Sequence, residues 1–147
     1  MKEDRNLAAE FIEACAEAVG SRKEAVAAVR ALCKWFGGQP LYIPLIRANG
    51  VAAEAIRGVL ADAVGDLAAE RMLQKIMTLF GGVRLYIPME ARAFRDAIAR
   101  EIYEKYDGSQ ESLRKLCREY NMSFVQVYRM FSEGRDSAKQ LTFNFEE

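Results

Sequence analysis

The chain has 147 residues, 51% of them apolar, with 21 basic and 21 acidic side chains. That size suits one domain or two very small ones sharing a core, and an Ala-, Glu-, Arg- and Leu-rich composition argues for helices and against disorder. Electroneutrality excludes a global field that draws the protein onto nucleic acid, so any DNA-binding surface must be a local patch.

The first element expected is a helix over residues 4–19, stopped by Gly20. Ser21 and Glu24 have capping-box spacing and open a second helix, whose stripe Val26, Val29, Leu32 or Cys33, and Phe36 recurs at helical intervals. Phe36-Gly37-Gly38-Gln39-Pro40-Leu41-Tyr42-Ile43-Pro44 follows. Glycine accepts the left-handed geometry that ends a helix, Leu-Tyr-Ile favours a short extended segment, and the next proline biases Ile43 towards the β region. A third helix over 50–64 ends at Gly65, and Asp66 is placed to cap a fourth carrying Met72, Leu73, Ile76 and Phe80.

The nonapeptide then returns as Phe80-Gly81-Gly82-Val83-Arg84-Leu85-Tyr86-Ile87-Pro88, displaced by 44 residues. An offset of this size signals a repeated structural unit: helix, Gly-Gly, very short strand, Pro, helix. Beyond it, Phe94, Ile98, Ile102 and Tyr106 mark another helix, ended by Asp107-Gly108.

From Ser109 onward the pattern is that of a helix-turn-helix spanning Leu113 to about Gly134. Ser109 caps the first helix, which buries Leu113, Leu116, Cys117 and Tyr120; Cys117 supplies the small side chain required where two such helices cross. Asn121 stands where a left-handed residue is needed, and Met122 plugs the turn. Ser123 and Gln126 form a second capping box, after which Val127, Met130 and Phe131 point inward. Five bases (Arg114, Lys115, Arg118, Arg129, Arg135) face two acids (Glu119, Glu133) over this stretch. If the second helix enters a major groove, Ser123, Phe124, Val125, Gln126, Tyr128 and Arg129 meet base edges, while Arg114, Lys115 and Arg118 reach phosphates. Past Gly134, the alternating Leu141, Phe143 and Phe145 suggest an edge strand or a segment packed in a groove.

Gly81, Gly82, Leu85, Tyr86, Ile87 and Pro88, followed by Leu113, Leu116, Tyr120, Ser123, Val127, Tyr128 and Arg129, together resemble the Mor family of transcription activators from phage Mu-like elements. The resemblance covers residues 70–134. It implies a homodimer with one helix-turn-helix per subunit, double-stranded DNA as partner with RNA polymerase as a further candidate, and paired strands near the DNA, which makes Arg84 and Tyr86 candidate backbone or minor-groove contacts, the alternative for Tyr86 being a core aromatic with its hydroxyl bonded. The first nonapeptide departs from that pattern, because no recognition helix follows it. The alternative to a homodimer is therefore an intrachain pseudo-dimer pairing Leu41–Ile43 with Leu85–Ile87.

The expected fold is mainly α, a helical bundle with two very short β-strands and a C-terminal helix-turn-helix. Its regions are 1–88 (dimerisation-like), 89–135 (DNA-binding) and 136–147 (tail). Cys15, Cys33 and Cys117 are expected as reduced, buried thiols; without histidine or CxxC, neither zinc nor another cofactor is implied. No catalytic spacing of carboxylates or lysines is present, so an enzyme is not expected. The rival to DNA binding is a protein-interaction module. No apolar run approaches the roughly 20 residues that span a bilayer, and no signal-peptide core follows the charged start, so a cytoplasmic location is expected.

Overall fold

The computed structural model describes residues 6–46 and 50–146, the last six as backbone alone. The chain divides into two compact units, Met1–Ala93 and Phe94–Glu147. Among the described residues no helix is long and apolar enough to cross a membrane.

The first unit contains α1 (Leu7–Val19), α2 (Arg22–Phe36), β1 (Gln39–Tyr42), α3 (Val51–Val64), α4 (Asp66–Phe80), β2 (Arg84–Ile87) and the single turn α5 (Glu90–Ala93). Asn6 starts α1 by accepting the Ala9 N–H at 3.0 Å, and left-handed Gly20 ends it. Ser21 accepts the Glu24 N–H at 3.2 Å and starts α2. Of the expected α2 stripe, Val29, Leu32 and Cys33 are buried, joined by Ala25 and Ala28, while Val26 and Phe36 lie half-buried at its margin. Asp66 does not cap α4. Gly65, at φ 92°, is the whole joint between α3 and α4: its N–H closes α3 on Ala61 and its carbonyl opens α4 by accepting from Ala69, so Asp66 is already the first helical residue.

Helices α1 and α2 pack together, as do α3 and α4, and α1 also lies on α4 while α2 lies on α3. Their apolar faces form the core with Ile43, Leu85 and Ile87 from the strand segments. An edge-to-face contact of Phe11 on Phe80, 5.0 Å between centroids, joins α1 to the end of α4. Arg30 and Glu90, 2.6 Å apart, tie α5 to α2. Burial pushes the Cys15 thiol up to about 12, and burial together with the Glu90 carboxylate does the same to Cys33, so both stay protonated and unreactive at neutral pH. Cys117 is only half-buried, which corrects the expectation of three buried thiols.

The strands form a two-stranded antiparallel ribbon with Gln39 opposite Ile87, Pro40 opposite Tyr86, Leu41 opposite Leu85 and Tyr42 opposite Arg84. The two glycines of each Gly-Gly do different jobs. Gly38 and Gly82 carry the positive φ, +83° and +84°, which a side chain rarely adopts. Gly37 and Gly81 have ordinary φ but no room. A Cβ on Gly37 would run into the Cys33 carbonyl and come within 2.8 Å of Pro88 O and Met89 Cα. One on Gly81 would strike the Met77 carbonyl and lie 3.1 Å from Pro44 O.

Gly37→Ala should therefore destabilise this unit by about 1–3 kcal/mol, the usual range for forcing a methyl into a filled space. Gly58→Ala, in the exposed middle of α3 with no atom within 4 Å of the new methyl, should stabilise it by about 0.4–1 kcal/mol through helix propensity and chain entropy. Urea midpoints of the two variants against the parent check both signs.

Candidate nucleic-acid interface

The second unit is built on α6 (Arg95–Lys105), α7 (Gln110–Tyr120) and α8 (Phe124–Glu146). Ile98, Ala99 and Ile102 from α6 form one core with Leu113 and Leu116 from α7 and Val127 and Met130 from α8; Phe94, Tyr106, Cys117, Tyr120, Met122 and Phe131 pack around it. The inward residues of α7 and α8 are those expected from the spacing, and the half-buried Cys117 sits beside the core.

Three residues separate α7 from α8. Ser109 opens α7 by accepting the Ser112 N–H at 3.0 Å. Asn121 ends it at φ 53° and ψ 53°, the one non-glycine with positive φ among the described residues. The Asn121 and Met122 N–H groups both donate to the Cys117 carbonyl, which closes the turn. Ser123 and Gln126 then cap α8 reciprocally: the Gln126 N–H donates to Ser123 Oγ at 3.2 Å, and the Ser123 N–H to Gln126 Oε1 at 3.0 Å.

This geometry brings Ser123, Phe124, Val125, Gln126, Tyr128 and Arg129 to the outer surface at the start of α8, all exposed, with buried Val127 holding the helix down. Two of the six are partly committed. Gln126 Oε1 belongs to the cap, leaving its NH2 as the outward group. The Tyr128 ring meets Tyr106 edge-on at 6.1 Å, and a hydrogen bond between the two side chains, followed by burial, raises the Tyr106 hydroxyl above its ordinary value. On α7, Arg114, Lys115 and Arg118 are exposed. Arg84 and Tyr86 belong to the other unit, on the outer face of its ribbon together with Tyr42 and Pro40. Tyr42 is the counterpart of Tyr86 in the 44-residue repeat, so the same signal places it on this face.

The two acids of the Leu113–Arg135 stretch are both neutralised by α6. Glu119 pairs with Lys105, and Glu133 takes a two-pronged contact from Arg95, with Nε to Oε1 at 2.9 Å and Nη2 on Oε2. Lys105 also donates to the Tyr120 hydroxyl at 2.9 Å, which in turn donates to Glu101 at 2.8 Å. The acids thus brace the helices, and the bases of α7 and of the start of α8 face solvent.

Helix α8 does not stop at Gly134, and the edge strand suggested by Leu141, Phe143 and Phe145 does not form: the backbone is helical to Glu146. The packing of those three side chains lies outside the described residues. Gly134 is buried, and a Cβ there would strike the Ala99 carbonyl and sit 2.7 Å from Tyr103 Cβ. It is a point of backbone approach between α6 and α8, which is why a glycine that reads as a helix end lies inside one.

The family model for the Mor transcription activators matches residues 47–141, taking in α3, α4, the ribbon strand β2 and the whole α6–α8 assembly to its last described side chains. The chain belongs to the Mor transcription activator family. No curated protein and no solved structure matches it. Membership makes the chain a transcription regulator, and this family is not an enzyme class. The match leaves out residues 1–46, the first copy of the repeat, and includes every candidate contact residue from Arg84 to Arg129.

Gly134→Ala should destabilise the second unit by about 1–3 kcal/mol, because the methyl meets backbone that cannot rotate away. Arg95, first by its hydrogen bonds and then by its charge, holds the Glu133 carboxyl below its ordinary value, so folding favours the ionised form. That contribution is complete above the range where an unfolded glutamate titrates and is lost as pH falls towards the lowered folded value. Glu133→Gln should accordingly be less stable than the parent near neutrality, with the gap closing in acid. Chemical denaturation across a pH series reads both effects.

Proposed function

We propose that α7 and α8 form a helix-turn-helix that reads double-stranded DNA in the major groove, and that the protein is a phage- or prophage-type activator acting in the cytoplasm. The observation that carries this reading is the set of exposed side chains Ser123, Phe124, Val125, Gln126, Tyr128 and Arg129 at the N-terminal end of α8, which starts in a reciprocal cap and lies within a Mor-family match. In this reading Arg129 takes a guanine edge in bidentate fashion. Phe124 and Val125 touch thymine methyls, Ser123 and the Gln126 NH2 make shorter-range base contacts, and Tyr128 contributes from its Tyr106-supported position. Arg114, Lys115 and Arg118 bind phosphates and fix register without reading sequence, and Arg84 and Tyr86 are backbone contacts from the ribbon. Activation then requires contact with RNA polymerase at promoters whose sites the helix selects.

Selection from a random duplex library by the purified full chain tests this reading. An enriched motif is expected with the parent, and Arg129→Ala should lose about 1–3 kcal/mol of discrimination at one base position. Replacing Arg114, Lys115 and Arg118 by Ala should instead weaken all sequences alike and flatten the salt dependence of binding. Binding without enrichment and indifferent to Arg129 would move the exposed Phe124 and Val125 to a protein-interaction surface.

A further inference from the structure

The first unit is one design used twice. Helix α1 starts at Leu7 and α3 at Val51; α2 runs Arg22–Phe36 and α4 runs Asp66–Phe80, each displaced by 44 residues. The buried positions of α2 (Ala25, Ala28, Val29, Leu32, Cys33) recur at the same offset in α4 as Ala69, Met72, Leu73, Ile76 and Met77. Both copies therefore present the same face to a shared core, α1–α2 against α3–α4.

The ribbon has the same symmetry. Exchanging the copies turns the Gln39–Ile87 pair into Val83–Ile43, where the Ile43 N–H donates to the Val83 carbonyl at 2.9 Å, and it leaves Leu41–Leu85 in place as the centre. Each Gly-Gly is clasped by the other copy. Gly37 lies against Pro88 and Met89, and Gly81 against Pro44 and Leu45. The Gly38 N–H donates to Ile87 O and the Gly82 N–H to Ile43 O, both at 2.7 Å. An interface in which residue i meets j and the equivalent of j meets the equivalent of i is the isologous kind that joins two identical subunits. Here it is made within a single chain.

One copy cannot stand alone. A lone four-residue strand leaves its ladder groups unpaired, and two helices with one strand are too few to close a core. Such a unit must find a twin. The Mor match begins at residue 47 and holds only one copy, so a chain consisting of the matched part would need a second molecule to complete its ribbon. We infer that residues 6–46 are a built-in partner: a fused copy that occupies the place of a second subunit, closes the ribbon within the chain, and leaves one α7–α8 reader for each completed pair of helix-helix-strand units. Taken with the DNA reading proposed above, on which this consequence rests, the protein binds a single half-site as a monomer. A two-headed reader instead requires two half-sites spaced by a helical turn.

The test is made on the full chain without DNA, so that a failure of DNA binding and a failure of this inference are distinguishable. Light scattering at tens of micromolar should return the single-chain mass, 16.6 kDa. In a Cys117→Ser background, Tyr42→Cys with Arg84→Cys places two thiols on exposed, directly opposed ribbon positions. Mild oxidation should link them within one chain: both new thiols are lost to alkylation, with their hydrogens passed to the oxidant, while the non-reduced species stays at the single-chain size. A particle of twice the mass, or a cross-linked species joining two chains, would overturn the inference, because the ribbon or another surface would then supply the second head.

Discussion

A strand of four residues has too few ladder bonds to persist by itself, and a two-stranded ribbon is marginal in water. The β1–β2 pairing exists here because two glycines let backbone meet backbone at its ends, and because Ile43, Leu85 and Ile87 are buried against the helices below. The rest of the first unit follows from that constraint. Helices must end where the glycines stand, the prolines must turn the chain over the opposite Gly-Gly, and the apolar faces of α2 and α4 must match, since the operation that pairs the strands also relates the helices.

The second unit uses backbone approach in a different way. Gly134 brings α8 against α6, while Arg95–Glu133, Lys105–Glu119 and the Tyr120–Glu101 bond fix the helices from the sides. What these contacts support is the short exposed row at the start of α8, where a capping box consumes the backbone donors and leaves side chains outward. In the DNA reading proposed above such preorganisation matters, because a loosely held helix gives up in ordering entropy what its contacts gain.

Much of this was legible in the residues. The turn chemistry of Ser109, Asn121, Ser123 and Gln126 has local causes, so spacing alone located α7, α8 and their outward row. The repeated nonapeptide likewise announced two equivalent strands. What was not legible depends on partners distant in the chain. Gly134 reads as a helix end until Ala99 is seen beside it, and Asp66 reads as a cap until Gly65 proves to be the entire joint. The Tyr106–Tyr128 contact and the neutralisation of Glu119 and Glu133 by α6 are likewise products of packing, which converted a simple count of charges into a polarised surface.

On the proposed DNA reading, one chain completed by its own N-terminal copy carries one DNA-reading head. The most direct measurement is the stoichiometry and footprint of the full chain on its selected duplex, by native mass spectrometry with backbone cleavage protection. One chain per duplex and protection centred on a single major-groove segment are expected. Two chains per duplex with two-fold protection one helical turn apart would contradict the single head.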